Sequence, residues 1–240
     1  MWAVCKKEFR QFFSSLTGYI AIIIFLLLTG LLLFVFPDTS ILDFGYASLE
    51  KFFDLAPWVL LLLIPAISMR SFSEEFRNGT FEILQSRPLT YWQIVQGKYL
   101  AALFVVIMAL LPTWIYFFSI QQLSEQSGMD LGATGASYIG LFFLTAIFAS
   151  IALCCSSFTS NAVVAFIAAA FGCFLMYTGF HAISSLKAFP SGADYYIDMF
   201  GIDYHYRSMS RGVITVRDLV YFVSVIAFFL TLTRNNLFKR

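Results

Sequence analysis

The sequence predicts an all-α integral membrane protein. Six transmembrane helices are expected, with short interfacial helices at the N-terminus, in the first cytoplasmic connection and in the last external connection. Three observations lead there. Hydrophobic residues make up 60% of the chain and charged residues 12%, about half the charge of a soluble domain. The apolar residues fall in runs near the length a helix needs to cross a bilayer, about 20 residues at about 1.5 Å each. Lys and Arg gather on alternate connections, the bias that orients membrane proteins. Residues 1–240 read as a single transmembrane domain.

Residues 1–16 place Trp2, Cys5, Phe9, Phe12, Phe13 and Leu16 at helical spacing, with Lys6, Lys7 and Arg10 on the other side. That pattern suits an amphipathic helix in the headgroup region, or an extension of the first span. Span one covers 17–36. It exceeds the apolar core of a signal peptide (about 7–15 residues) and no small-residue cleavage site follows, so it reads as retained. Span two is centred on 55–69. It is short, so Phe52 and Phe53 extend it, Asp54 reaches the interface, and Pro57 and Pro65 bend it.

Residues 70–98 form a polar connection. Gly79 is a turn point and Pro88 blocks helix continuation, so a short helix carrying Phe81 and Leu84 on one face is expected between them. Thr90 and Gln93 match a capping box, which starts the next helix at Tyr91. Trp92 and Lys98 suit an interface where a ring anchors and a lysine snorkels. Span three covers 99–120, with a kink at Pro112. Span four covers 138–158. A polar turn at 156–161 leads to span five at 162–180. The connection 181–218 is rich in aromatics and too apolar for a disordered linker, so short helices on or in the membrane are expected. Span six covers 219–232, extended by a turn at each end.

The cations Lys6, Lys7 and Arg10, then Arg70, Arg77, Arg87 and Lys98, then Arg234, Lys239 and Arg240 fall on one side of this arrangement. The loops 37–54 and 121–137 hold one cation, Lys51, against Asp38, Asp43, Glu50, Asp54, Glu125 and Asp130. The positive-inside rule puts both termini in the cytoplasm. Lys187, Arg207, Arg211 and Arg217 fall outside in this arrangement, Arg217 at a span end.

Catalytic chemistry finds no foothold. A P-loop would need Gly at position 92 and Ser or Thr at 99 to accompany Gly97 and Lys98; Trp92 and Tyr99 stand there. The centres of spans one and three to six hold no Asp, Glu, Lys, Arg or His, which argues against proton-coupled transport and intramembrane hydrolysis. Their polar groups are hydroxyls (Thr29, Thr113, Ser119, Thr145, Ser150, Thr178), the type that bridges helices. Cys5, Cys154, Cys155 and Cys173 lack metal-ligand spacing. Asp194, Asp198, Asp203 and His205 lie close together in sequence but match no calcium loop. No cofactor, metal or catalytic residue is expected, and no basic tract suggests nucleic acid.

The connection 70–98 also carries anchors that a solvated loop does not need: Phe76, Phe81, Ile83, Leu84, Trp92 and Ile94. Its order of Glu74-Glu75, Gly79-Thr80, Glu82, Leu84, Arg87-Pro88, Ile94 and Gly97-Lys98 resembles the first cytoplasmic connection of bacterial ABC-2 type transporter permeases. The stretches 41–72 and 210–222 resemble gliding-motility members of that family. The resemblance implies a permease subunit in the bacterial inner membrane, paired with a cytoplasmic ABC ATPase and a second membrane subunit. It further implies that Glu74, Glu75, Gly79, Thr80, Phe81, Glu82, Leu84 and Arg87 contact the ATPase, Phe81 and Leu84 by apolar contact and the glutamates as a charged rim. Uncharged spans also fit a scaffold that recruits an ATPase without moving a substrate.

Overall fold

The computed structural model describes residues 1–36, 48–123, 130–185 and 193–239. Asp38, Asp43, Glu125, Lys187, Arg240 and the stretch 41–47 lie outside them. The described residues are helical with no strand. Five helices or helix pairs are long and apolar enough to cross a membrane, and a sixth span arises if α1 (Trp2–Ser14) and α2 (Leu16–Phe34) are counted together. These two meet at a 70° bend.

The bundle is built around α8 (Leu131–Phe158). In its most apolar stretch 78% of residues are buried, against 22% in the spans beginning at α9 (Ala162–Phe174) and in α13 (Val216–Phe238). Helix α8 is therefore the centre and the other two are outer helices. It packs against α3 (Glu50–Ser68), α9, α13, α6 (Tyr91–Leu110) and α12 (Ile202–Ser210). Ile23 and Leu27 of α2, Val163 and Phe171 of α9, and Val220 and Phe228 of α13 are exposed. A face of that kind is stable in hydrocarbon and not in water.

Helix α8 begins seven residues before the expected 138, because the Asp130 carboxylate caps it, accepting from Gly132 N–H at 2.8 Å and Ala133 N–H at 3.1 Å. The third span contains the expected break at Pro112: α6 passes through a 3-10 turn over Leu111–Thr113 into α7 (Trp114–Leu123). The fifth span runs from α9 through a π-helical stretch over Leu175–Gly179 into α10 (Phe180–Ser184). The wider turn carries Tyr177, which is buried beside Trp58 and Phe148.

The second span departs furthest from expectation. Helix α3 starts at Glu50 and continues through Pro57 and Pro65, and α4 (Arg70–Arg77) follows after only Met69. The first eight residues of the connection thus prolong a span. Ser156 of α8 explains how. Its hydroxyl accepts from Phe72 N–H at 3.0 Å and Ser73 N–H at 3.2 Å, and donates to Met69 C=O at 2.9 Å. Those are the groups that a break in the helical ladder leaves without partners.

The intramembrane hydroxyls divide. Thr29 Oγ1 lies 3.2 Å from Tyr116 Oη, and Thr113 Oγ1 lies 3.1 Å from Tyr138 Oη, so both bridge helices. Ser119, Thr145, Ser150 and Thr178 bond carbonyls of their own helices. Short helices occupy part of the last connection: α11 (Ala193–Asp198) and α12.

Candidate coupling site at the charged end of the bundle

At one end α1, α4, α5 (Thr80–Gln85) and the start of α6 come together. Each is placed by local chemistry. Gly79 takes φ +67°, a left-handed conformation that side chains resist, and so turns α4 into α5. Thr90 and Gln93 form the expected capping box: Gln93 N–H donates to Thr90 Oγ1 at 3.3 Å, and Thr90 N–H donates to Gln93 Oε1 at 3.0 Å. Helix α6 accordingly starts at Tyr91.

Helix α1 lies across α6, and Gly97 allows it. A Cβ there would meet Met1 C=O and the Val4 Cβ, each at 2.9 Å. The neighbouring Lys98 does not snorkel. Its side chain is fully buried, with Nζ 2.9 Å from Glu8 Oε1, 3.0 Å from Glu75 Oε1 and 2.6 Å from Ser71 C=O. It also lies 4.9 Å from the centre of the Phe72 ring. Lys7 Nζ joins at 2.9 Å from Glu75 Oε1 and 3.2 Å from Glu8 Oε1. Two ammoniums and two carboxylates thus fasten α1, α4 and α6 into one unit. Burial alone would raise the Glu8 carboxyl, but Lys98 and Lys7 outweigh it and hold Glu8 below the usual carboxylate range. Burial likewise opposes the charge on Lys7, while Glu8 and Glu75 overcome that and raise it.

The residues singled out from the sequence separate into two groups. Phe81 is buried, at 5% exposure, and packs its ring against Phe76 and Phe72. Glu75 is buried in the ion cluster. Leu84 is half-buried against the core. Within this chain Phe81, Leu84 and Glu75 thus join α5 and α4 to the bundle rather than standing free of it. The physical reason is that α5 is too short to stand off the bundle and uses its larger apolar side chains to dock onto α4. Gly79, Thr80, Glu82 and Arg87 are exposed, as is Ile83 at 62%. Glu74 is partly exposed, 3.9 Å from both Arg70 and Arg77. Ile83, one of the apolar anchors of this stretch but not among the residues the resemblance assigns to the ATPase contact, lies off the face that Phe81 and Leu84 share and points outward.

Between α1 and the α4–α5 connection lies a cleft of about 750 Å³. A more apolar groove of about 700 Å³ runs between α2, α3 and α6, and shares Glu8, Gln11, Arg70, Ser71 and Glu74 with it.

At the opposite end the carboxylates of the last connection are spoken for separately. Asp198 pairs with His181 at 3.0 Å and Asp203 with Arg207 at 2.6 Å. His205 is buried, with Nδ1 2.7 Å from Asp218 Oδ1, Nε2 3.0 Å from Met199 C=O, and its ring stacked on Tyr221 at 4.0 Å. His205 therefore fastens the connection to α13, a role the sequence reading left unassigned. Thr215 and Asp218 form an N-terminal cap, whose signal in the sequence is the Thr-x-x-Asp spacing ahead of an apolar run. No group of three His, Cys, Asp or Glu residues that could hold a metal is found among the described residues.

A central buried helix, outer helices with exposed apolar faces and an ion-paired charged end define a multi-pass all-helical membrane protein. The family model described as ABC-2 family transporter protein matches residues 2–233, nearly the whole chain, and the chain belongs to that family. It is a permease subunit of an ABC transporter, a membrane component that is not itself catalytic and associates with an ABC ATPase. No curated protein matches the chain.

Proposed function

We propose that this permease subunit receives its ATPase on the outer face of α5, with the charged end in the cytoplasm of a bacterial inner membrane. The observation that carries the reading is the exposure of Ile83 between Glu82 and Arg87 on a helix whose other apolar residues are anchored inward. A single exposed apolar side chain is ordinary by itself; what marks Ile83 is its place in the stretch that resembles the ATPase-contacting connection of ABC-2 permeases. Gly79, Thr80, Glu82, Ile83 and Arg87 make the contact, and Glu74 borders it. Glu75, Phe81 and Leu84 act beneath it, joining α5 to α4, α6 and α1. A displacement of α5 by the ATPase then reaches the spans as a rigid movement, because α4 continues α3 and Lys98 belongs to α6. A second membrane subunit completes the transporter, and the likeness of 41–72 to gliding-motility permeases supports a role in gliding.

The test is recovery of the ATPase with tagged permease from detergent-solubilised membranes. Ile83→Asp removes an apolar contact worth about 1.5–3 kcal/mol when fully buried, so recovery should fall at least about tenfold. Membrane insertion should be unchanged, since Ile83 does not contribute to the core. Leu131→Asp, at the opposite end, should have no effect. Normal recovery with correctly inserted Ile83→Asp protein would remove α5 as the contact.

A further inference from the structure

The groove between α2, α3 and α6 changes character along its length. Its polar lining comes from the charged end: Glu8, Gln11 and Ser15, the stretch 68–74, and Lys98. Away from that end the walls are apolar, as at Ile24, Leu28, Val59, Leu62, Ala66 and Val105. On α3 the lining reaches no farther from the charged end than Trp58. From Trp58 to Arg70 the chain rises about 18 Å at about 1.5 Å per residue. Half of the hydrocarbon core is about 15 Å. The groove is therefore one leaflet deep, not one bilayer.

Depth and mouth together select the occupant. A partner helix crossing the membrane needs a face of about 30 Å, and the groove supplies little more than half of it. An acyl chain of a single leaflet matches the apolar length. At the mouth Arg70 and Glu74 stand 3.9 Å apart, beyond hydrogen-bond distance, with side chains 50% and 28% exposed. Lys98 and Glu8, also on the wall, are already joined at 2.9 Å. Arg77 lies 3.9 Å from Glu74 as well but does not line the groove. The mouth thus offers a guest one guanidinium, which suits a phosphate, beside one carboxylate, which suits an ammonium. That pair complements a zwitterionic headgroup. A headgroup with a phosphate and no cation would face Glu74 without compensation.

We propose that the groove holds one phospholipid from the leaflet at the charged end. Its acyl chain lies along α2 and α3, and its amine-bearing zwitterionic headgroup, of the phosphatidylethanolamine class, sits between Arg70 and Glu74. The volume of about 700 Å³ is within the range of about 300–1,000 Å³ in which proteins hold discrete ligands. This lipid stays with the protein when the surrounding bilayer lipid exchanges, and its site does not depend on where the ATPase docks.

The test uses the assembled transporter in nanodiscs of equal parts phosphatidylethanolamine and phosphatidylglycerol with identical acyl chains. After transfer to mild detergent, retained lipid is counted by native mass spectrometry. One phospholipid per permease chain is expected, mostly phosphatidylethanolamine. Ala66→Trp fills the apolar length and should lower retention about tenfold. Arg70→Gln alters a half-exposed side chain and should lower retention about threefold, the scale of a partly exposed charge pair. Glu74→Gln should keep a lipid but lose the preference for phosphatidylethanolamine. Val223→Trp, on the exposed face of α13, should change nothing. Benzoylphenylalanine at Leu62 should crosslink to lipid on irradiation. No retained phospholipid in the wild type, a wild-type preference for phosphatidylglycerol, or retention indifferent to both Ala66→Trp and Arg70→Gln would each overturn the proposal. A crosslink from position 62 to a second membrane subunit instead of lipid would assign the groove to protein and overturn it too.

Discussion

Lys98 is the residue on which the charged end turns. It is a buried ammonium held by two carboxylates and a carbonyl. Removing one partner from such a group is more damaging than never having built it, because the remaining charges stay out of water. Lys98→Met should cost about 3–5 kcal/mol, read as a lowered melting temperature in detergent. Adding Glu75→Gln should recover part of that loss, since one stranded carboxylate is then neutral. Glu8 gives a pH dependence with a defined sign. Its folded-state value lies below its ordinary one, so its contribution is present above the ordinary carboxylate range, about pH 4, and is lost as pH falls through the depressed folded value. The wild-type melting temperature should drop on acidification through that window. Glu8→Gln should start lower at neutral pH and fall less over the same interval. Equal slopes for the two proteins would mean that Glu8 carries none of the dependence.

Among the elements, α1 depends on a close approach to α6. Gly97→Ala puts a methyl group 2.9 Å from Met1 C=O and from the Val4 Cβ, a misfit of the sort that costs about 1–3 kcal/mol. The helix should lift from α6 and fray, so trypsin should cut faster at the already exposed Lys6, Lys7 and Arg10 in open membrane fragments. Unchanged cleavage rates would show that α1 absorbs the methyl without moving. Local signals made several elements legible in the sequence. The Thr90–Gln93 capping box, the Gly79 turn and the Pro112 break each need only neighbours along the chain, and each is found where the spacing put it. The α3–α4 continuation was not legible, because the Ser156 hydroxyl that supports it comes from another helix, 84 residues from Phe72. The ion cluster was hidden for the same reason: Glu8 and Lys98 are 90 residues apart. Without that pairing Lys98 reads as a snorkelling lysine and Glu75 as a free surface charge.

For the whole molecule, the charged end and the end bearing α11 and α12 lie on opposite sides of the spans, so one orientation assigns both. The positive-inside bias argues for a cytoplasmic charged end. Lys7 and Lys98 are paired with Glu8 and Glu75, and Lys6, Arg10, Arg70, Arg77, Arg87 and Lys239 are further exposed cations at this end. At the other end Arg207 is paired with Asp203, and Arg217 lies 5.5 Å from the centre of the Tyr204 ring and 4.0 Å from Asp218. The bias counts Lys and Arg rather than net charge, so Arg217 at the start of α13 still weighs against this orientation. Gly128, the natural tip for labelling the 121–137 loop, lies outside the described residues, and Leu131 and Gln85 are exposed substitutes at the two ends. In a Cys155→Ser background the remaining native cysteines are buried. There, Leu131→Cys should react with an impermeant maleimide applied outside intact cells, and Gln85→Cys should react only after the membrane is opened. The reverse pattern would invert the protein, place α5 on the side without ATP, and remove the docking reading.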